Sequence, residues 1–316
     1  MTVGIALPAS EAPTSGNAVD ELVAQAREFA GLGGRSVWFS QLFDHDAMTV
    51  AAVVGREVPS VRVGTQVVPL YPRHPLQLAA QAQTAQAATG GRFTLGVGTG
   101  VRGLLEPAYG TPYPPPIRHL RESLTVLRRV LDGERAPQFV GEGVIARPPL
   151  PTAVAGGSGV PLLVAAMGPQ ALRVTGELAD GTLPFLAGPR TLAERIVPVL
   201  HRAAEAAGRP APRIVAAVPA VVTDDPDVVQ RIAAIRLGAY ASIPSYRRAV
   251  AAEGASHPVE LALVGDERTV EAGIRRYVDA GATEVVLTQT GLRTDAERRR
   301  TWRLAGSLTT AAAAVG

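Results

Sequence analysis

The 316-residue sequence predicts an α/β fold, a (β/α)8 TIM barrel, on three observations. Short β-branched runs alternate with longer Ala-rich segments of helical period, the pattern of parallel strands joined by crossover helices. The strand candidates number eight, which is the arithmetic of a closed barrel. The three segments too long for that repeat follow the fourth strand, the fourth helix and the seventh strand, where insertions decorate a barrel without interrupting it. Residues 1–316 are accordingly read as one barrel domain.

The elements follow in order. Strand 3–7 (VGIAL) leads to a helix at 17–32, closed by Gly33-Gly34 where a left-handed cap belongs. Strand 36–40 (SVWFS) precedes a helix at 46–56. Strand 61–68 (VRVGTQVV) leaves through prolines 69, 72 and 75, which prevent normal pairing and force an irregular exit. Pro75 then opens a helix at 75–89, ended by Gly90-Gly91. Strand 93–98 (FTLGVG) is followed by the insertion 101–116 and a helix at 117–132. The Gly- and Pro-rich insertion 133–160 follows a helix, so it is expected on the face opposite the active one. Strand 161–166 leads to a helix opened by Pro169, at 169–179. Strand 181–185 leads to 189–207. Strand 214–221 is followed by the mostly helical insertion 224–258 and a helix at 266–280. Strand 284–289 and a helix at 294–312 complete the set.

Composition narrows the function. A hydrophobic fraction of 47% with 19% charged residues belongs to a folded, water-soluble chain, and no apolar run approaches the ~20 residues of a membrane helix. The start, MTVGIALP, lacks a basic region followed by a long apolar one, and cysteine is absent, so a cytoplasmic protein without disulfides is expected. The net charge of +3 is carried entirely by arginines scattered among acids, and aromatics make up only 4%. That excludes the interleaved basic and aromatic surface of a single-strand nucleic-acid binder. Arg298-Arg299-Arg300 reads as a solvated helix face.

RFTLGVGTGVRG, 92–103, contains the G-x-G-x-x-G of a dinucleotide turn at Gly98, Gly100 and Gly103. The prolines at 107, 112 and 114–116 argue against the helix that fingerprint needs, so a nicotinamide dinucleotide is not expected. Gly96, Gly98 and Gly100 instead mark the carboxyl end of the fourth strand. There, missing Cβ atoms would let a flat ring lie against the backbone, or merely start a flexible loop. In VAAMGPQAL, 164–172, small residues lead into a helix N-terminus, which suits a phosphate and equally describes a plain tight turn. His74, between Arg73 and Pro75, is a candidate acid-base group or a backbone-bonded residue. Asp44, His45 and Asp46 resemble a metal cluster, but adjacent ligands seldom converge, so capping of a helix by Asp44 or Asp46 is the better reading. No nucleophile elbow, P-loop or thiol appears, which leaves a cofactor as the source of reactivity.

Three ordered segments, GTQVVPLYPRHPLQLAAQAQTAQAATGGRFTLGVGTG, PLLVAAMGPQALRVTGELADGT and LVGDERTVEAGIRRYVDAGATEVVL, resemble the bacterial luciferase-like superfamily, and within it the coenzyme F420-dependent oxidoreductases. The resemblance implies a barrel holding a flavin or deazaflavin across the carboxyl ends of its strands. It implies a non-prolyl cis peptide at about Gln66-Val67 behind the ring, ring contacts from Thr99 and Gly100, and phosphate contacts from the backbone of Ala165, Ala166, Met167 and Gly168. Asp180-Gly181 matches a motif taken as structural. Where sugar-phosphate dehydrogenases of that group carry an Asp-His pair and a Glu, this sequence reads Gln41, Leu42 and Val101, so a glucose-6-phosphate substrate is not expected. The expected activity is hydride transfer between F420 and a small, apolar organic substrate, with Gln41, Tyr71, His74 and Tyr109 as the polar candidates at the mouth. The alternatives are an FMN-dependent monooxygenase and a non-catalytic flavin-binding barrel. A homodimer is expected, with no metal, nucleic-acid or membrane partner.

Overall fold

The computed structural model describes residues 1–8 and 16–313, without the side chains of 310–313. Its elements are β1 (Thr2–Leu7), α1 (Ala18–Gly31), β2 (Ser36–Phe39), α2 (Ala47–Glu57), β3 (Arg62–Thr65), β4 (Val68–Pro69), α3 (Pro75–Ala88), β5 (Phe93–Gly98), α4 (Arg102–Tyr109) and α5 (Pro116–Leu131). Then come β6 (Phe139–Val140), β7 (Ile145–Ala146), β8 (Leu162–Val164), α6 (Pro169–Leu178), β9 (Gly181–Thr182), α7 (Pro189–Thr191), a π turn at Leu192–Ile196 and α8 (Val197–Ala206). The last part holds β10 (Arg213–Val222), α9 (Pro226–Gly238), α10 (Pro244–Glu253), β11 (Leu263–Gly265), α11 (Glu267–Asp279), β12 (Glu284–Thr288) and α12 (Asp295–Ala313). All eight predicted strands and eight predicted helices are present. The third strand is the one most altered, being broken between Thr65 and Val68 into β3 and β4.

The chain divides into two compact units. The first comprises Met1–Trp38, Leu183–Val199 and Arg213–Gly316. Its strands are parallel: β12 lies between β1 and β10, with Gly4 opposite Val286 and Ala217 opposite Val286 from the other side, and β10 also pairs β11. β10 is buried from Ile214 to Val222, the continuous apolar run of a parallel strand covered on both faces. At its amino end Glu284 is buried, accepting from Ser36, Trp38 and Arg213. The insertion after β10 folds as α9 and α10, and Tyr240 and Tyr246 pack their rings edge-on against Phe185. Burial pushes the Tyr246 hydroxyl up to about 12.

The second unit comprises Phe39–Thr182 and Leu200–Pro212. β5 is its central strand, flanked in parallel by β3 and β4 on one side and β8 on the other, with β9 beyond β8. Pro75 and Pro169 occupy first helical turns as expected, and Gly33 and Gly90 take the left-handed backbone of a helix end.

Two expectations are corrected here. A helix does follow the G-x-G-x-x-G, and Pro107 sits inside it. α4 has only two turns, and Gly103, whose carbonyl loses its amide partner to the proline, is exposed, so the lost bond strands no buried carbonyl. The dinucleotide fingerprint still fails, because α4 is an eight-residue helix with Pro107 inside it, separate from the long helix α5 that follows, and not the continuous crossover helix of a dinucleotide-binding unit. The acid about 20 residues on, Glu122, is engaged by the amides of Glu142, Gly143 and Val144. Nor does the insertion after α5 stay on the far face. It forms the antiparallel β6–β7 hairpin, whose Val144 and Ala146 pack on Val126 and Leu76, and it reaches His74 at the start of α3.

Candidate active site

The residues singled out from the sequence lie in the second unit. β5 and β8 end side by side, Val97 opposite Val164. The Ala165 amide donates to Val97 O (2.8 Å) and the Leu70 amide to Gly98 O (2.8 Å), so the exits of β8 and β4 are both held against the end of β5. The Gln66-Val67 peptide is cis, as the resemblance implies. Its carbonyl accepts from Ser40 Oγ at 2.7 Å, and the Gln66 amide donates to Phe39 O, also at 2.7 Å. One rung below, Thr65 Oγ1 exchanges hydrogen bonds with the backbone of Gly96.

The glycines serve a different purpose from the one expected. A Cβ on Gly98 would come within 2.9 Å of Val67 Cγ2 and 3.4 Å of the Ala165 methyl, and one on Gly100 within 2.2 Å of Leu105 Cδ1. Protein side chains therefore fill the space of the missing Cβ atoms, and Gly100, at φ +78°, also needs the left-handed backbone. What remains open is a ledge of small residues: Gly100, Ala165 and Gly168 are exposed, and Thr99 and Met167 half-buried, while Ala166 is buried.

The ledge ends at α6. Gly168 is its N-cap in extended backbone, no side chain caps it, and a Cβ on Gly168 would touch nothing. Since Pro169 has no N–H and the first intrahelical bond runs from Leu172 N to Gly168 O, the amides of Gln170 and Ala171 point out of the helix without partners. Thr182 Oγ1 reaches the carbonyls of Val164 and Ala166 at 2.9 and 3.0 Å, which fixes the loop feeding this terminus.

Thr99 and Gly100 are held by Tyr113, a residue not singled out in the sequence, whose hydroxyl donates to Thr99 O (2.7 Å) and Gly100 O (3.2 Å). Burial raises the Tyr113 hydroxyl above its ordinary range, against the opposing bond to Thr99, so it remains a donor. From Tyr113 a run of rings continues: 5.2 Å to Tyr71, 6.2 Å from Tyr71 to Tyr109, and 6.0 Å from Tyr109 to Phe43.

The expected polar candidates are largely engaged by backbone. Gln41 Oε1 accepts from the Ala47 amide at the start of α2. Tyr71 donates to Thr111 O at 2.6 Å. His74 is the N-cap of α3: Nδ1 accepts from the Leu76 amide (3.2 Å) and Nε2 donates to Ile145 O (2.9 Å). Both ring nitrogens are thus occupied, and a proton transfer through His74 would break the cap or release the hairpin. Asp46 caps α2, accepting from the Thr49 amide, as the capping reading anticipated. His45, weighed in the sequence only as a metal ligand, is left open at one ring nitrogen. Its Nδ1 lies 3.1 Å from Asp44 Oδ2, which fixes the proton on Nδ1, and its Nε2 is buried without a partner among the described residues. The oxygen Gln66 Oε1 is buried and unpartnered in the same way. Among the described residues no three acidic, histidine or cysteine side chains gather as metal ligands, and no helix is long and apolar enough to cross a membrane.

These features fit a flat ring with an anionic tail: a ledge of small residues, an unsatisfied side-chain amide beside it, and uncapped helix amides at its end. Comparison with known proteins points the same way. A family model described as luciferase-like monooxygenase matches residues 1–284. A Mycobacterium tuberculosis protein named for a coenzyme F420-dependent oxidoreductase is 30% identical over 181 residues, 54% of this chain and 51% of that protein, so the match spans about half of that relative's length. An F420-dependent glucose-6-phosphate dehydrogenase of Kineococcus radiotolerans is 27% identical over 293 residues, 81% of this chain and 83% of that one. The solved structure of the coenzyme F420-dependent tetrahydromethanopterin reductase of Methanopyrus kandleri superposes with a TM-score of 0.75 at 21% identity, covering 98% of this chain and 99% of that one. That likeness shows the fold, an α/β barrel of eight parallel strands.

Proposed function

Because the chain belongs to the luciferase-like monooxygenase family, we propose that it is a coenzyme F420-dependent oxidoreductase acting on a small organic substrate. The observation that carries the reading is the ledge itself, Thr99-Gly100 beside Ala165–Gly168, ending in the free amides of Gln170 and Ala171. F420, when bound, supplies or accepts a hydride at ring carbon C5. The chain's own residues do the rest. Val67, packed on Gly98, would back the ring, and Thr99 and Gly100, tied down by Tyr113, would line it. The Ala165–Gly168 backbone and the first amides of α6 would hold the phosphate, where the helix dipole favours negative charge. His45, oriented by Asp44, carries an unpartnered Nε2 and is the group best prepared to hold or release a proton. Support for F420 over FMN comes from the relatives named for F420, and the family's description as monooxygenases supports the second reading, FMN with oxygen.

Titration of the purified protein with F420 and FMN in parallel, in oxidised and reduced forms, separates these readings. Selective micromolar binding of F420 is expected. Preference for FMN would move the chain to the monooxygenases, and binding of neither would end the cofactor assignment. Tight F420 binding with no turnover across ketones, enones and alcohols would mark a non-catalytic flavin-binding barrel.

A further inference from the structure

The run of rings beside the ledge has no part in holding the cofactor, and its burial is graded. Tyr71, near the ledge, is 6% exposed, whereas Tyr109 is 42% and Phe43 54% exposed at the other end. Leu42 (62%) is next to Phe43 in the sequence, and Leu104 (43%) lies on the same helix, α4, as Tyr109. Four of the chain's exposed large apolar side chains therefore come from two short segments, 42–43 and 104–109, that meet through the Phe43–Tyr109 ring contact. Scattered exposed apolar residues need no explanation, but a joined aromatic strip that starts at a proposed reaction site does.

The arginine on this strip is already paired, and the carboxylate next to Phe43 is exposed. Arg102 and Glu106, on the helix that carries Leu104 and Tyr109, bond each other at 2.9 Å, and Asp44 faces His45. A phosphorylated or carboxylated substrate would find Arg102 already paired and the exposed Asp44 carboxylate repelling it, whereas a flat uncharged ring could stack along Tyr109 and Phe43 in the offset or edge-on geometries aromatic groups prefer. Tyr113 joins the two surfaces, since its ring contacts Tyr71 and its hydroxyl holds the ledge at Thr99.

We infer that Phe43 and Tyr109 form the outer wall of the substrate site and that the substrate is a flat, uncharged compound with an extended ring system. This inference rests on the oxidoreductase reading for the identity of the ligand as substrate. Its test needs no cofactor: calorimetric titration of the cofactor-free chain with 1-tetralone, 2-cyclohexen-1-one and glucose 6-phosphate. The expected order is tetralone, then cyclohexenone, with no binding of the sugar phosphate. The Phe43→Ser, Tyr109→Ser double variant should weaken tetralone at least tenfold, and Val140→Ser, at an exposed apolar site on the hairpin, should leave it unchanged. Both wall residues are partly exposed, and an unchanged melting temperature would exclude a folding defect. Tetralone that binds equally well to the double variant, fails to bind the parent chain, or is outcompeted by glucose 6-phosphate would overturn the wall. Failure of the F420 titration alone would instead count against the oxidoreductase reading, because the tetralone measurement is read without F420.

Discussion

At the amino end of β8, the Asp180 carboxylate accepts from Arg128 (2.9 Å), Arg209 (2.7 Å) and the Leu162 amide (2.8 Å). Toward the carboxyl ends in the same unit, Gln66 Oε1 and His45 Nε2 are buried with nothing to bond. The contrast is informative because a buried polar atom without a partner costs on the order of 1–3 kcal/mol. On the proposed reading Gln66 Oε1 and His45 Nε2 wait for a ligand, whereas the Asp180 carboxylate is partnered by the protein itself, although Arg209 Nε beside it is also buried without a partner among the described residues. Such a division between the two ends of the strands would be the one barrels show generally.

Breaking the satisfied end should give the largest effect. Asp180→Ala leaves Arg128 and Arg209 without their shared carboxylate and Leu162 without its acceptor. With Asp180 one-third exposed, a loss of about 2–3 kcal/mol in urea unfolding is expected, at the low side of buried ion pairs. A loss below about 1 kcal/mol would remove the basis of the contrast.

The next effect belongs to the open end. If His45 delivers the proton, His45→Gln should lower kcat by about 100-fold, flatten the acid-base limb of the rate profile and leave stability intact. His74→Ala should do the reverse: loss of the α3 cap and of the bond to the hairpin lowers stability by about 1 kcal/mol while the pH profile keeps its shape. An unchanged profile in His45→Gln would withdraw that residue from the reaction.

A smaller effect, readable as a pH dependence, belongs to Glu122. Burial pushes its carboxyl up, but the amides of Gly143, Glu142 and Val144 together with Arg118 prevail and hold it below the ordinary glutamate range. A group depressed in the folded state stabilises above its unfolded pKa and loses that contribution as the pH falls through the folded value. Glu122→Gln should therefore cost about 1–2 kcal/mol at pH 7, the difference between charged and neutral acceptors, and the gap should close on acidification below the glutamate range. A gap independent of pH would mean that the side chain's shape, not its charge, holds the hairpin.

How much of this was legible in the sequence follows from the range of the signals. Strand and helix positions depend on local period, whereas the interruption at 66–67 lies inside the continuous strand 61–68 that the period predicts and is implied only by the family resemblance. The hairpin's course is carried by neither, because it is set by contacts such as Val144 on Val126 that no spacing encodes. His45 and His74 show the same limit. In sequence each is a histidine just before a helix, one flanked by Asp44 and Asp46 and the other by Arg73 and Pro75. Only the fold brings Ile145, 71 residues away, onto one of them and leaves the Nε2 of the other buried with no hydrogen-bond partner among the described residues.

Gln66 offers the finest test of the contrast, because there the expected changes in stability and in binding have opposite signs. Met at this position keeps the length of the side chain and removes the amide whose oxygen is buried without a partner. Replacing an unsatisfied polar group by an apolar one of similar shape is neutral or favourable, so the cofactor-free Gln66→Met protein should be equal to the parent or up to about 1 kcal/mol more stable. The backbone anchors, Gln66 N to Phe39 O and Ser40 Oγ to Gln66 O, do not depend on the side chain and persist. Cofactor binding should nevertheless weaken by about tenfold, the worth of one hydrogen bond in a desolvated site. A protein that lost stability and kept its affinity would show that the amide serves the fold, and the open end would then be no more prepared for a ligand than the Asp180 end.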